Sequence, residues 1–308
     1  MKTVILGAGA MGSVIGGTLA CAGIDVVLVD VAKEIVEAIE QRGLTIEEKT
    51  GQKATIRLKA TSDPGQVGRA DLIIVFVKCY HTEAAVRQAA PMLGPDTIVL
   101  SLQNGWGNAA LISKLTGPER LLVGVSYHSA VLLAPGHVLH AGQGPTYLGE
   151  LDGTVSPRMT AITKLFGSAG IEIIPSANVL GEIWSKLALN AVTLPTSASI
   201  RITADELLRT SAMEHLMQEL LAEVIAVARA QKISLNFEER WDAIRNLLNK
   251  LAPNTKGSML QDVERRNRTE IDVINGAIVE AGIRFGIATP YNQSMLWLIK
   301  AVERSFVT

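Results

Sequence analysis

Thiols and imidazoles are scarce: 308 residues contain two cysteines and five histidines. Cys21 and Cys79 are too few for a disulfide framework or a cysteine metal cluster, and the histidines show no ligand spacing, so no metal site is expected. Cys79, just after an apolar run, reads as a buried inert cysteine in preference to a reactive thiol. Net charge is also missing. At a formal charge of −1 the chain has no electrostatic footprint for nucleic acid or an anionic membrane surface, so neither is expected as a partner. Internal repeats, low-complexity tracts and blocks of like charge are absent. What remains is an ordinary globular composition, 48% hydrophobic and 19% charged, long enough for two domains with a sizeable core, and a cytoplasmic location is expected.

The most local absence lies in the opening MKTVILGAGAMGSVIGGTLACAGIDVVLVD, where no charged side chain stands between Lys2 and Asp25. A secretion signal, a membrane span and a cofactor site all compete for such a stretch, and composition alone does not separate them. The glycine spacing does. Gly7, Gly9 and Gly12 of the loop Gly7-Ala8-Gly9-Ala10-Met11-Gly12 form a G-x-G-x-x-G directly after the apolar run Val4-Ile5-Leu6 and before an alanine-rich stretch, residues 13–22. A second β-rich run, Val26 to Val29, ends at Asp30. In the order strand, glycine turn, helix, strand, acid, the first glycine makes the tight turn, the second lets backbone approach a pyrophosphate and the third lets the helix pack on the sheet. Helix-start N–H groups then face the phosphates, and Asp30 is placed to accept hydrogen bonds from the adenosine ribose.

The chain changes character near its middle. Up to about residue 177, strands alternate with short helices: 71–77 and 97–101 are continuous apolar runs suited to buried parallel strands, and 44–58 looks like a hairpin. Residues 121–133, 137–140 and 146–148 read as further, antiparallel strands. Beyond Pro175 long helices are expected over 178–191, 212–231, 238–251 and 269–286. The expected fold class is therefore α/β, a Rossmann-type doubly wound dinucleotide-binding domain over 1–177, followed by an all-helical substrate and catalytic domain over 178–308, with the active site in the cleft between them.

Ligands bind at the carboxyl ends of strands in such sheets. Lys78 ends the 71–77 run and Gln103-Asn104-Gly105 follows the 97–101 run; each alone reads as a solvated lysine or a common turn, and together they suggest a site. In the helical half, Lys186 and Asn190 are four apart and share a face with apolar neighbours. Glu270 heads a stripe continuing through Val273, Ile274, Ala277, Ile278 and Ala281. A snorkelling lysine and a helix-start acid are the plain readings; the alternative is a lysine and a glutamate that meet where desolvation tunes the lysine as a proton donor.

With GAGAMG at 7–12, the Lys78 strand end, QNG at 103–105, W-x-K-L-x-x-N at 184–190, and SMLQD at 258–262 followed by RTEIDVING at 268–276, the chain resembles the ketopantoate reductase (2-dehydropantoate 2-reductase) family over nearly its whole length. The resemblance implies NAD(P)H-dependent reduction of a branched 2-oxo acid to a D-2-hydroxy acid, most simply 2-dehydropantoate to pantoate. It implies Lys186 as proton donor to the C2 oxygen with Glu270 beside it, Asn104 holding substrate and nicotinamide, Asn190 and Ser258 contacting substrate, and Lys78 and Ala130 lining the cofactor site. Charge logic agrees, because hydride arriving at C2 leaves negative charge on the oxygen that an ammonium both stabilises and protonates.

Three departures qualify the likeness. Where NADPH-using members carry an arginine after the second strand, this chain has Asp30-Val31, which favours NAD(H) over the family default NADP(H). Two asparagines expected at the substrate are Leu194 and Ala204. Leu194 follows Lys186 and Asn190 on one helical face if the helix persists to Pro195. An NAD-dependent, mandelate-type D-2-hydroxyacid dehydrogenase is therefore the alternative, with a non-catalytic dinucleotide sensor behind it, and a homodimer stays open.

Overall fold

A computed structural model describes residues 1–307, and these divide into two units: residues 1–103 with 108–179, and residues 104–107 with those from 180 onward.

The strands of the first unit are β1 (Thr3–Leu6), β2 (Val26–Val29), β3 (Leu44–Glu48), β4 (Lys53–Ile56), β5 (Lys59–Thr61), β6 (Leu72–Val75), β7 (Ile98–Ser101), β8 (Leu121–Ser126), β9 (Ser129–Ala134), β10 (His137–Gly142), β11 (Thr146–Gly149) and β12 (Ile173–Pro175). Its helices are α1 (Ala10–Cys21), α2 (Lys33–Arg42), α3 (Thr82–Gln88), α4 (Asn108–Thr116) and α5 (Pro157–Ser168). Eight strands form one sheet in the order β12-β11-β8-β7-β6-β1-β2-β5. The stretch β5-β2-β1-β6-β7-β8 is parallel throughout and has the spatial order 3-2-1-4-5-6 of a doubly wound dinucleotide-binding sheet. Strands β1, β2, β6 and β8 are buried along their whole length, which is why β1, β2 and β6 read as unbroken aliphatic runs.

Four strands, β4-β3-β10-β9, make a second sheet. Helix α1 packs on β1 and β2 from one side and on β3, β9 and β10 from the other. Gly12, Ser13, Val14, Ile15, Gly16, Gly17 and Leu19 are consequently all buried. A helix covered on both flanks has nowhere to place a charge, and this explains the uncharged opening. Among the described residues no helix is long and apolar enough to cross a membrane.

The 44–58 hairpin forms, as β3 and β4 in antiparallel register. Residues 121–133 are not one stretch: β8 pairs parallel with β7 and antiparallel with β11, whereas β9 joins the second sheet, the chain turning at Tyr127-His128.

The second unit holds α6 (Val179–Ile200), α7 (Ser211–Ala230), α8 (Phe237–Lys250), α9 (Ser258–Glu264), α10 (Asn275–Phe285) and α11 (Pro290–Arg304). Two expected helices differ. The helix expected to stop at 191 runs on to Ile200 through Pro195, and residues 190–198 are buried all round, as befits a central helix. The helix expected over 269–286 is broken: Ile271–Val273 is a 3₁₀ turn, Ile274 leaves helical geometry at φ −103°, ψ −94°, and α10 starts at Asn275. Glu270 therefore precedes a tight turn instead of heading the α10 stripe. Trp184, Leu187, Leu220, Val224, Leu260, Ile271 and Ile278 belong to the unit's apolar core.

Candidate active site

In the first unit, Gly7 follows β1 at φ +102°, a left-handed geometry, and a Cβ there would lie 2.8 Å from the Val77 amide nitrogen. A methyl at Gly12 would run into the Gly7 carbonyl oxygen, so helix and turn approach as closely as they do only because residue 12 is glycine. Gly9, the N-cap of α1, is the opposite case: a Cβ there would meet nothing within 4 Å. The helix has no side-chain cap and no acid in its first turn, so the start of α1 presents backbone N–H groups beside Gly9, where no side chain intrudes. Ala10 and Met11 form that first turn. These residues fit a pyrophosphate.

Asp30 sits one residue past β2. Its Oδ2 accepts from the Ala8 N–H at 2.6 Å and its Oδ1 from the Ala32 N–H at 2.9 Å, tying the acid to the glycine loop. A carboxylate accepts about four hydrogen bonds, so capacity for ribose hydroxyls remains. Val31 beside it is 71% exposed and carries no positive charge.

Lys78 is half-buried and follows β6 after two irregular residues, leading a 3₁₀ turn at Cys79–His81. Gln103 ties this segment to the end of β7: its Nε2 donates to the Val77 carbonyl at 2.7 Å and to Thr82 Oγ1 at 2.8 Å. Ala130 is half-buried in β9, opposite His140 of β10. His140 Nε2 lies 3.0 Å from His128 Nδ1, and its Nδ1 lies 3.2 Å from Glu48 Oε1. Among the described residues no group of three or more His, Cys, Asp or Glu side chains is placed to hold a metal ion.

The second unit gathers the remaining positions. Lys186, Asn190 and Leu194 do share one face of α6, which persists past Pro195 as that alignment requires. Burial pushes the Lys186 ammonium from its ordinary 10.5 down to about 8, with the Glu270 carboxylate pulling the other way. One turn earlier, burial raises the Glu182 carboxyl, opposed by Arg240. Glu270 itself is buried, in a turn pinned by its neighbours. The Thr269 N–H and hydroxyl donate to Glu303 Oε1 at 2.8 and 2.7 Å, and Lys300 Nζ donates to Asp272 Oδ2 at 2.6 Å.

Asn104 begins the tetrapeptide 104–107 that groups with the helices. The Trp106 N–H donates to the Val273 carbonyl at 2.8 Å, a Cβ on Gly105 would come within 2.5 Å of that same oxygen, and the Trp106 ring meets Trp184 edge-on at 5.4 Å. Asn104 is thus anchored on the turn that carries Glu270 and on the helix that carries Lys186. Sequence reading missed this anchor, although two of only four tryptophans stand next to site residues in NGWG and IWSK. Asn190 is buried, Leu194 is buried with its Cδ2 where a Gly257 side chain would go, and Ala204 is buried with its N–H on the Thr255 carbonyl at 2.8 Å. Ser258 is exposed at the first position of α9.

The chain is similar to known proteins along nearly its whole length. The family model described as ketopantoate reductase PanE/ApbA matches residues 3–153, and its C-terminal counterpart matches residues 178–303. A 2-dehydropantoate 2-reductase of Archaeoglobus fulgidus is 36% identical over 304 residues, 98% of each chain. A PanE/ApbA family ketopantoate reductase from Ralstonia eutropha JMP134 superposes with a TM-score of 0.92 at 34% identity over 100% of both chains. A D-mandelate dehydrogenase solved with NADH and anilino(oxo)acetate superposes at 0.94 with 30% identity, again over 100% of both. A dinucleotide-binding sheet, a helical unit holding a half-buried lysine and a buried glutamate, and matches along nearly the full length converge: the chain belongs to the ketopantoate reductase PanE/ApbA family and is an NAD(P)H-dependent oxidoreductase.

Proposed function

We propose that this chain reduces a branched 2-oxo acid to the D-2-hydroxy acid, with 2-dehydropantoate as the leading single substrate and NADH as the preferred reductant. Residues 1–177 would bind the dinucleotide and residues 178–308 would supply the proton, in a cytoplasmic enzyme.

The observation that carries the reading is Lys186, an ammonium brought to about 8 by burial with Glu270 in attraction. At neutral pH it is still mostly protonated, yet it is a far stronger acid than a free lysine. Hydride for C2 of the substrate would come from the reduced nicotinamide of a dinucleotide that the glycine loop and Asp30 would hold. Lys186 Nζ stabilises the negative charge that develops on the C2 oxygen and delivers the proton to it. Glu270 keeps the ammonium charged until then. Asn104, Asn190 and Ser258 would hold the substrate, Asn104 and Glu270 would also border the nicotinamide, and Lys78 and Ala130 would line the cofactor side.

For the cofactor, Asp30 supports NADH: a carboxylate that accepts the ribose hydroxyls repels a 2′-phosphate, and exposed Val31 offers no guanidinium in exchange. The relationship to a 2-dehydropantoate 2-reductase at 36% identity supports the substrate.

Leu194 favours a second reading, an NAD-dependent D-2-hydroxyacid dehydrogenase of the mandelate type, because a buried leucine on the Lys186 face gives a terminal hydroxyl no partner. The likeness to a D-mandelate dehydrogenase solved with NADH points the same way. A panel of 2-oxo acids followed at the nicotinamide absorbance, with NADH and with NADPH, decides. The highest kcat/KM for 2-dehydropantoate supports the first reading, and the highest for an apolar or aromatic 2-oxo acid supports the second. No 2-oxo acid-dependent oxidation of either nucleotide refutes both.

A further inference from the structure

Pro195 lies inside α6 and has no N–H, so the carbonyl of Ala191, four residues earlier, lacks its helical donor. That oxygen is nonetheless paired. Asn275 Nδ2 donates to it at 3.0 Å, and the same amide nitrogen donates to Asn292 Oδ1 at 2.9 Å. With two acceptors facing it, the amide has one sensible orientation, since the reverse would set oxygen against oxygen. Asn275 and Asn292 are both fully buried. Asn292 in turn donates to Glu223 Oε2 at 2.7 Å and to the Leu220 carbonyl at 3.2 Å. Glu223 accepts the Tyr291 and Asn292 N–H groups at 2.8 Å each, closing the start of α11. A continuous buried chain of polar groups therefore joins α6, α10, α11 and α7.

Its position gives it a task beyond satisfying a carbonyl. Asn275 is the first residue of α10, directly after the Ile271–Val273 turn and the kink at Ile274, and Glu270 leads into that turn. Ala191 follows Lys186 and Asn190 on α6. The Asn275–Ala191 bond thus fixes one end of the Glu270 turn on the helix that bears Lys186. The other end is held by the Thr269–Glu303 and Asp272–Lys300 bonds to α11. We propose that Asn275 is a positioning residue for the Lys186–Glu270 pair, using the carbonyl that Pro195 leaves without a helical donor as its anchor on α6. The inference rests on the catalytic reading given above.

Asn275→Ala removes the anchor and leaves a buried carbonyl unpaired, so both stability and catalysis should fall. Pro195→Ala separates the two effects, because an alanine at 195 restores an N–H that can reach the Ala191 carbonyl within the helix. We expect Asn275→Ala/Pro195→Ala to recover much of the melting temperature relative to Asn275→Ala while kcat stays about 10- to 100-fold below that of Pro195→Ala, with the cofactor Kd unchanged. Recovery of kcat together with stability would mean that Asn275 only satisfies a carbonyl, and overturns the proposal. If the alanine variants do not fold, Asn275→Gln is read instead: it keeps the amide on a stem one methylene longer, and an unchanged kcat overturns the proposal. Lys186→Ala is assayed in parallel. Retention of kcat there refutes the catalytic reading itself, whereas loss in Lys186→Ala with none in the Asn275 variants refutes only the positioning role.

Discussion

Lys186 should cost the folded protein stability, and the cost should disappear at high pH. The drop from 10.5 to about 8 corresponds to about 3 kcal/mol of preference for the uncharged amine in the folded state. Below pH 8 both folded and unfolded chains carry the proton and the whole penalty is present. Between about 8 and 10.5 the unfolded chain binds more proton than the folded one, so stability rises with pH through that window; above it both are neutral and the penalty is gone. Replacing Lys186 alone would strand the buried Glu270 carboxylate, so the informative variant is Lys186→Met/Glu270→Gln, which removes both charges at nearly constant volume. At pH 7 it should exceed wild type by up to about 3 kcal/mol in urea unfolding, and the advantage should vanish by about pH 10.5. Its kcat should fall at least about 10²–10⁴-fold. In wild type, the reductive kcat/KM should decline as pH rises through about 8, as the proton donor empties. A variant less stable than wild type at pH 7, or an advantage equally large at pH 7 and pH 10.5, would refute the account of a burial-tuned lysine.

Three other outcomes follow from the site. Wild type should show a higher kcat/KM with NADH than with NADPH, and Asp30→Ala/Val31→Arg should narrow or invert that ratio; a wild-type preference for NADPH contradicts the role given to Asp30. Gly9→Ala should melt like wild type, since its methyl meets nothing, yet bind dinucleotide weakly in a fluorescence titration, whereas Gly12→Ala should lose about 1–3 kcal/mol of stability through its clash with the Gly7 carbonyl. Equal dinucleotide affinity in Gly9→Ala and wild type would remove the phosphate cradle. Leu194→Asn should raise kcat/KM for 2-dehydropantoate relative to a same-sized substrate without the hydroxyl, by up to about 10²-fold, and an unmoved ratio would show that residue 194 does not read the substrate.

The parallel sheet was legible because its strands are buried on both faces, so β1, β2 and β6 spell out unbroken aliphatic runs. The nucleotide loop was legible because three glycines at fixed spacing answer three separate steric demands. Helix ends were harder. Pro195 reads as a stop, and α6 passes through it because Asn275, 84 positions beyond Ala191, takes up the Ala191 carbonyl that the proline frees. The apolar period through Ile271, Ile274 and Ile278 is continuous, so nothing local marks the break at Ile274; the turn there is secured by Glu303 and Lys300 far downstream. The Lys186–Glu270 pairing was suggested by two charges on apolar faces, but the anchoring of Asn104 through Trp106 and Val273 involves backbone groups that no residue pattern announces.

The tetrapeptide 104–107, encoded in the first half and folded with the second, bears on how such a chain can be cut and recombined. A break between residues 179 and 180 looks like a clean seam, yet a fragment starting at 180 lacks the Trp106 ring that covers Trp184 and the backbone donor for the Val273 carbonyl. Expressed alone, that fragment would expose an aromatic face at its most buried tryptophan. In a chimera joining the amino-terminal half of one homologue to the carboxyl-terminal half of another, the mismatch would fall on the turn beside Glu270. Exchange of halves by a single crossover is therefore a poor route to new specificities in this scaffold; a working graft has to carry Asn104–Gly107 along with the helices, as a two-segment transplant.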